Sequence, residues 1–248
     1  MDWQSMTEMH YNSGKMIAVE RTFTVPATAV FEKSYSAFLF DMDGTLISST
    51  LAAERVWAKW AEGHGIDVRT FLPTMHGARA VDTVRRLGLP GVDPEAEALK
   101  ITRAEMDDVG GIFALKGAVE FLGKLPQAQW AIVTSAPLDL ARRRLAAAGV
   151  PLPQTIVAAE DVAIGKPNPD CYLLAAKKLG VDIGDCLVFE DAVPGILAGD
   201  AAGADVLVIT ATHKHALETA HAVVFDYRHL DVVVEDDGRM SLRRVDVA

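Results

Sequence analysis

Cysteine is nearly missing from this 248-residue chain. Cys171 and Cys186 are the only two, too few for a disulfide framework or a cysteine ligand cluster. That scarcity fits a reducing compartment, so a cytoplasmic protein is expected. No apolar run approaches the roughly 20 residues that cross a bilayer, so no membrane association is expected. Met1–Lys15 lacks the charged start and apolar block of a signal peptide. Positive charge is also short: 24 Lys and Arg stand against 34 Asp and Glu, a net charge of −10. Nucleic acid demands a basic face, so it is excluded as a partner. An anionic substrate must then be drawn in by a local positive site, a metal included. No internal repeat and no low-complexity segment is found. Apolar residues are plentiful, at 50% of the chain, enough for one large domain or a core with a smaller satellite.

The chain is organised around Ala37–Thr45. Ala37-Phe38-Leu39-Phe40 has the pattern of a short buried strand. Asp41, Met42, Asp43, Gly44 and Thr45 follow at once, where the strand must end. Gly44 permits a tight turn. With Met42 between them, an extended backbone would aim the Asp41 and Asp43 carboxylates the same way. Two like charges at one sheet edge are costly unless a cation or a catalytic task holds them.

Residues 1 to about 20 are polar and without clear period and read as a loose tail, with Ile17–Phe23 and Ala29–Phe31 as candidate added strands; residues 1–35 stand apart from the rest. Leu51–His64 places Val56, Trp57 and Trp60 on one helical face, stopped by Gly63 and Gly65. Arg79–Leu87 and Pro94–Val109 are further amphipathic helices, Asp93 capping the second. Residues 51–115 are thus expected to be helical and free of strands.

From Lys116 the pattern becomes an alternation of helix and strand. Helices are expected over Ala118–Leu125, Leu138–Ala148, Pro169–Leu179 and Ile196–Ala202, and strands over Trp130–Val133, Thr155–Ala158, Cys186–Phe189 and Val206–Ile209. A hairpin is expected about Asp237-Gly238. Such alternation builds a Rossmann-like parallel sheet with helices on both faces. The expected fold class is therefore α/β, with a catalytic core of residues 36–50 and 116–248 and an all-helical cap of residues 51–115.

Ligands of an open parallel sheet bind beyond the carboxyl ends of its strands. Those ends carry Asp41 and Asp43, then Thr134 and Ser135, then Glu190 and Asp191, with Lys166 in the loop Gly165–Pro169. Thr134 or Ser135 alone reads as a helix cap, Lys166 alone as a surface lysine, and Glu190-Asp191 alone as a solvated loop. Their joint occurrence at successive strand ends points instead to one site.

These four motifs, in order across roughly residues 36–210, resemble the haloacid dehalogenase superfamily of phosphohydrolases, and the helical insertion resembles its small cap. Ala53–Trp60, His76–Ala80 and the Val133-Thr134-Ser135 junction are similar to bacterial sugar- and polyol-phosphate phosphatases, and to yeast glycerol-phosphate and deoxyglucose-phosphate phosphatases. The resemblance implies a Mg²⁺-dependent phosphatase that forms an aspartyl-phosphate on Asp41, with Asp43 as general acid and base. Lys166 would bear on the phosphate and on Asp41, and Thr134 or Ser135 would hold phosphate oxygens. The metal would fall to Asp41, the Asp43 carbonyl, Asp191, and Glu190 directly or through water. Carboxylate nucleophiles and hard oxygen ligands suit this chemistry.

A monomer acting on a small sugar or polyol phosphate is expected. Glu54, His76 and Arg79 are the cap residues expected to meet the leaving group. Trp57 and Trp60 are read as cap core, with Trp57 also an apolar wall, and Arg142–Arg144 as a solvated helix face. A phosphosugar mutase on the same scaffold is the nearest alternative, although Thr45 resembles the phosphatase side. A phospho-acceptor signalling module has no use for a lid, dehalogenase relatives lack the second aspartate, and an inactive binding domain would be expected to have lost a charged motif residue.

Overall fold

The computed structural model describes residues 7–12, 15–20 and 28–245. Strands β1 (Thr7–Asn12) and β2 (Lys15–Glu20) pair as an antiparallel hairpin. Of the two readings of this stretch, a loose tail or added strands, the second is the one found for these residues. Of the candidate strand Ile17–Phe23, the last three residues lie outside the described residues. β3 (Thr28–Ala29) precedes β4 (Ala37–Phe40), whose four residues are all buried. Along β4 the side chains alternate. Phe38 and Phe40 enter one apolar cluster while Ala37 and Leu39 enter another, so both faces of the sheet are covered.

After β5 (Ile47–Ser48) the chain leaves for the helical segment. It comprises α1 (Thr50–Gly63), the single turn α2 (Val68–Phe71), α3 (Ala80–Leu87) and α4 (Pro94–Asp107). Asp93 caps α4 by accepting from the backbone N–H groups of Glu95 and Ala96. These helices close on an apolar cluster of their own, in which Val56 and Trp57 meet Phe71, Met75, Val84 and Ile101. Trp60 packs against it from the side and gives its ring N–H to Glu97. The return is β6 (Phe113–Ala114), antiparallel to β5. A strand within 51–115 corrects the strand-free expectation. Two residues cannot show an alternation, and the pairing partner lies more than sixty positions earlier in the chain.

The alternation then runs as expected. α5 (Ala118–Leu122) leads to β7 (Trp130–Val133), α6 (Leu138–Ala148) to β8 (Thr155–Val157), and α7 (Asp170–Leu179) to β9 (Cys186–Glu190). α8 (Val193–Ala202) leads to β10 (Asp205–Ile209) and then to β11 (Ala222–Val224), a strand the sequence pattern did not reveal. The six strands are parallel in the order β11-β10-β9-β4-β7-β8. The hairpin of β12 (Leu230–Val234) and β13 (Met240–Arg244) turns at Gly238 as expected, and β13 also pairs with β3. Among the described residues no helix is long and apolar enough to cross a membrane, and both cysteines are buried and free. The central strand β4 lies between β9 and β7, so Asp41 emerges between Glu190 on one side and Thr134 on the other.

Candidate active site

Asp41 follows the last residue of β4, and its N–H still donates to Phe189 O on β9 at 2.9 Å. Four charged side chains converge there. The Lys166 ammonium is buried and donates to Asp41 Oδ1 at 2.7 Å, to Glu190 Oε1 at 2.7 Å and to Val133 O at 3.0 Å. All three of its protons are committed. Burial opposes that charge, but Asp41 and Glu190 override it and hold the ammonium well above its usual pKa. Glu190 is equally committed. Its Oε1 also accepts from the Tyr172 hydroxyl at 2.9 Å, and its Oε2 accepts from the N–H groups of Asp191 and Ala192.

Two glycines leave room for these carboxylates. A Cβ on Gly44, whose φ is +90°, would collide with Asp191 Oδ2, and one on Gly195 would collide with Glu190 Oε1. One oxygen each from Asp41, Glu190 and Asp191 lies within 4.8 Å of the others. Burial, with Glu190 adding repulsion against the pull of Lys166, pushes Asp41 up to about 7. Asp191 is raised well above the carboxylate range by burial, then by Glu190 and Asp41. Three hard anionic donors crowded about one ammonium fit a small divalent cation, which relieves that repulsion.

Asp43 borders the same cavity as Asp41, but the two carboxylates pair with different groups. Asp43 Oδ1 accepts from Ser49, and Oδ2 accepts from Arg144 Nη1 at 2.9 Å. Arg144 Nη2 in turn meets Glu105 Oε1 of α4 at 3.0 Å. The solvated face expected for Arg142–Arg144 therefore holds only for Arg142 and Arg143, which are exposed; Arg144 is buried. Three consecutive helical residues point in three directions, and Arg144 shares its stripe with Leu140, Ala141 and Leu145. That i, i+4 relation to Leu140 was the readable signal.

The helical segment reaches the site. Gly77 O accepts from the Ser135 hydroxyl at 2.9 Å, and a Cβ on Gly77 would meet the Ala192 methyl at 2.7 Å. Between the helical segment and the strand ends is a cavity of about 100 Å³. Its floor includes Asp41, Asp43, Thr134 and Asp191, and its roof Trp57, Met75 and His76. Trp57 is thus both core of the cap and wall of the cavity. That volume holds several waters but is well below a drug-sized pocket, so it suits a small polar ligand. Thr134 Oγ1 accepts from Ala136 N–H at 3.1 Å, which leaves its own proton free.

Of the three cap residues expected at the leaving group, His76 lines the cavity. Glu54 stands behind it, its Oε1 3.6 Å from His76 Nε2 and 3.8 Å from Lys214 Nζ. Burial lowers the His76 pKa, with Glu54 pulling it back. Arg79 departs from the expectation. Its guanidinium is spent on Asp82 and on the carbonyls of Ala159, Val162 and Ala163, and it does not line the cavity. It clamps cap to core beside Gly165. Tyr172, Ser49, Glu105 and His213, whose Nε2 lies 2.9 Å from Asp191 O, are site residues that carried no motif of their own.

The family model for haloacid dehalogenase-like hydrolase matches residues 35–203. The chain is 43% identical over 178 residues to hexitol phosphatase A of Escherichia coli (strain K12), covering 70% of this chain and 82% of that one. It is 34% identical to 2-deoxyglucose-6-phosphate phosphatase 1 of Saccharomyces cerevisiae (strain ATCC 204508 / S288c), over 86% of this chain and 96% of that one. Among solved structures, a hydrolase from Pseudomonas syringae is 32% identical with a TM-score of 0.67, covering 76% of this chain and 92% of that one.

Proposed function

The chain belongs to the haloacid dehalogenase-like hydrolases, and from that premise we propose that it is a Mg²⁺-dependent phosphatase cleaving a small sugar or polyol phosphate through an aspartyl-phosphate on Asp41. The observation that carries this reading is the buried Asp41–Lys166–Glu190–Asp191 cluster opening onto a small capped cavity. Membership in a phosphatase family, with sugar- and polyol-phosphate phosphatases as relatives, supports the substrate class. The division into a core of residues 36–50 and 116–248 and a cap of 51–115 belongs to the same proposal, supported by the separate apolar cluster of the cap.

Asp41 attacks phosphorus with one carboxylate oxygen, and the bond from phosphorus to the alcohol oxygen breaks as Asp43 gives that oxygen a proton. Water then attacks the same phosphorus, Asp43 takes its proton, and the bond to Asp41 breaks. The products are the free alcohol and inorganic phosphate. Thr134 donates its free hydroxyl proton to a phosphate oxygen, a task the Ser135 hydroxyl gives up by donating to Gly77 O. Lys166 orients Asp41 and neutralises it, while Glu190 and Tyr172 fix Lys166. Asp41, Asp191 and the Asp43 carbonyl would hold Mg²⁺, with Glu190 directly or through water. The ion supplies the positive charge that lets one anion approach another. The roof then reads the sugar, with His76 on the leaving group and Glu54 orienting it.

The test is phosphate release from a panel of hexose, hexitol, glycerol and glycolate phosphates, with Mg²⁺ and after exhaustive chelation. Rapid release from at least one sugar or polyol phosphate, abolished by chelation and inhibited by Ca²⁺, is expected. Full turnover after chelation would sink the metal-dependent reading.

A further inference from the structure

One buried ion pair crosses from core to cap and has no part in the chemistry above. Arg144 on α6 meets Asp43 at 2.9 Å and Glu105 on α4 at 3.0 Å, and the Arg144 and Glu105 side chains are only 6% and 8% exposed. Taking such charges out of water is expensive, and an apolar pair of similar volume is often as stable or more so. Leu140 and Leu145 flank Arg144 on the same buried stripe, so an aliphatic side chain would suit the packing. Stability alone therefore does not account for a guanidinium here.

The other oxygen of Asp43 is held by Ser49, just before α1, so the carboxylate is gripped at two points. We propose that Arg144 is a positioning residue for Asp43, and that Glu105 in turn positions Arg144, so that the proton donor is completed only when α4 is docked on α6. This rests on the reading of Asp43 as general acid and base. The guanidinium is a planar fork with donors in fixed directions, and two carboxylates on two of its nitrogens fix its plane. Without Glu105 the fork can pivot, and the Oδ2 grip on Asp43 loosens. Were α4 to move off α6, Glu105 would leave with it. Proton transfer is thereby tied to the closed state, in which water is excluded.

The test separates positioning from mere structure by the leaving group. An alkoxide needs the proton, whereas p-nitrophenolate leaves without it. Glu105→Gln and Arg144→Lys would be assayed on mannitol 1-phosphate, glycerol 1-phosphate and p-nitrophenyl phosphate with Mg²⁺ present. In both variants kcat on the alkyl phosphates should fall about tenfold or more beyond its fall on the aryl phosphate, within the range of general acid catalysis. KM should move less than kcat. Should Arg144→Lys fail to fold, Glu105→Gln still decides, since it keeps shape and volume and removes only the charge. Equal losses on both substrate types, or no loss on either, overturn the proposal. Wild-type protein that releases phosphate from none of the three overturns the phosphatase reading itself, and the proposal with it.

Discussion

Replacing Gly195 by alanine reverses an ordinary expectation. Gly195 lies in the first turn of α8, where alanine is favoured over glycine by about 1 kcal/mol. Here the added methyl would collide with Glu190 Oε1, far inside ordinary contact, so the carboxylate must retreat. It has nowhere to go without leaving Lys166, Tyr172 and the N–H groups of Asp191 and Ala192. A hydrogen bond to a charged group is worth about 1.5–3 kcal/mol, so losing two of the four costs about 3–6 kcal/mol. Against the helical gain, the net loss is about 2–5 kcal/mol, or about 4–20 °C in Tm for a chain of this size. Phosphate release should fall as well, because Lys166 loses the partner that aims it at Asp41. Thermal unfolding and phosphate release would be measured beside Gly63→Ala at the end of α1, where a methyl meets nothing within 4 Å and a gain of up to about 1 kcal/mol is expected. A Gly195→Ala protein as stable and active as wild type would refute the placement of Glu190.

Asp41→Asn should reduce phosphate release below about one per cent of wild type with little change in Tm, since it removes the nucleophile and nearly keeps the shape. Glu54→Ala and His76→Ala should alter kcat/KM among sugar and polyol phosphates while largely sparing p-nitrophenyl phosphate; equal losses on both would mean that they support cap folding or closure. Because burial depresses the His76 pKa, the unfolded chain binds the extra proton first as pH falls below about 6.5. Its contribution to stability is therefore full above that pH and is lost as pH falls through the depressed value, so His76→Gln should flatten the acid side of a Tm–pH curve. Arg79→Ala removes a clamp between cap and core and should raise KM about tenfold for alkyl and aryl phosphates alike, with no change in preference; a change in preference would return Arg79 to the leaving group.

The core was legible because its signals are local and redundant. Buried strands such as Trp130–Val133 and Cys186–Glu190 are nearly unbroken apolar runs, and Gly149, Gly180 and Gly203 mark helix ends by adopting left-handed angles. The strand ends then deliver the charged motifs to one edge whatever the loops between them do. Short pairings were not legible. β5, β6 and β11 have two or three residues each, too few for a period, and β5 with β6 depends on a partner across the whole cap.

Direction was harder to read than position. Asp41 and Asp43 are two apart and line one cavity, yet their partners differ: Lys166 for the first, Ser49 and Arg144 for the second. Arg79 was assigned to the leaving group for its place in the segment after the first motif, and Arg144 to solvent for its place well along a helix. Both assignments fail for one reason. A guanidinium reaches far from its backbone, and what it pairs with depends on carbonyls and carboxylates distant in sequence: Val162 O and Ala163 O for Arg79, Glu105 and Asp43 for Arg144. Apolar spacing around an arginine is the better guide. Arg144 repeats the stripe of Leu140, and an arginine on an apolar stripe must find buried anions, because an unpaired charge in the interior is not tolerated. In a chain with ten more acidic than basic residues, a buried arginine therefore points to where acidic side chains converge, and here that place is the junction of cap and core.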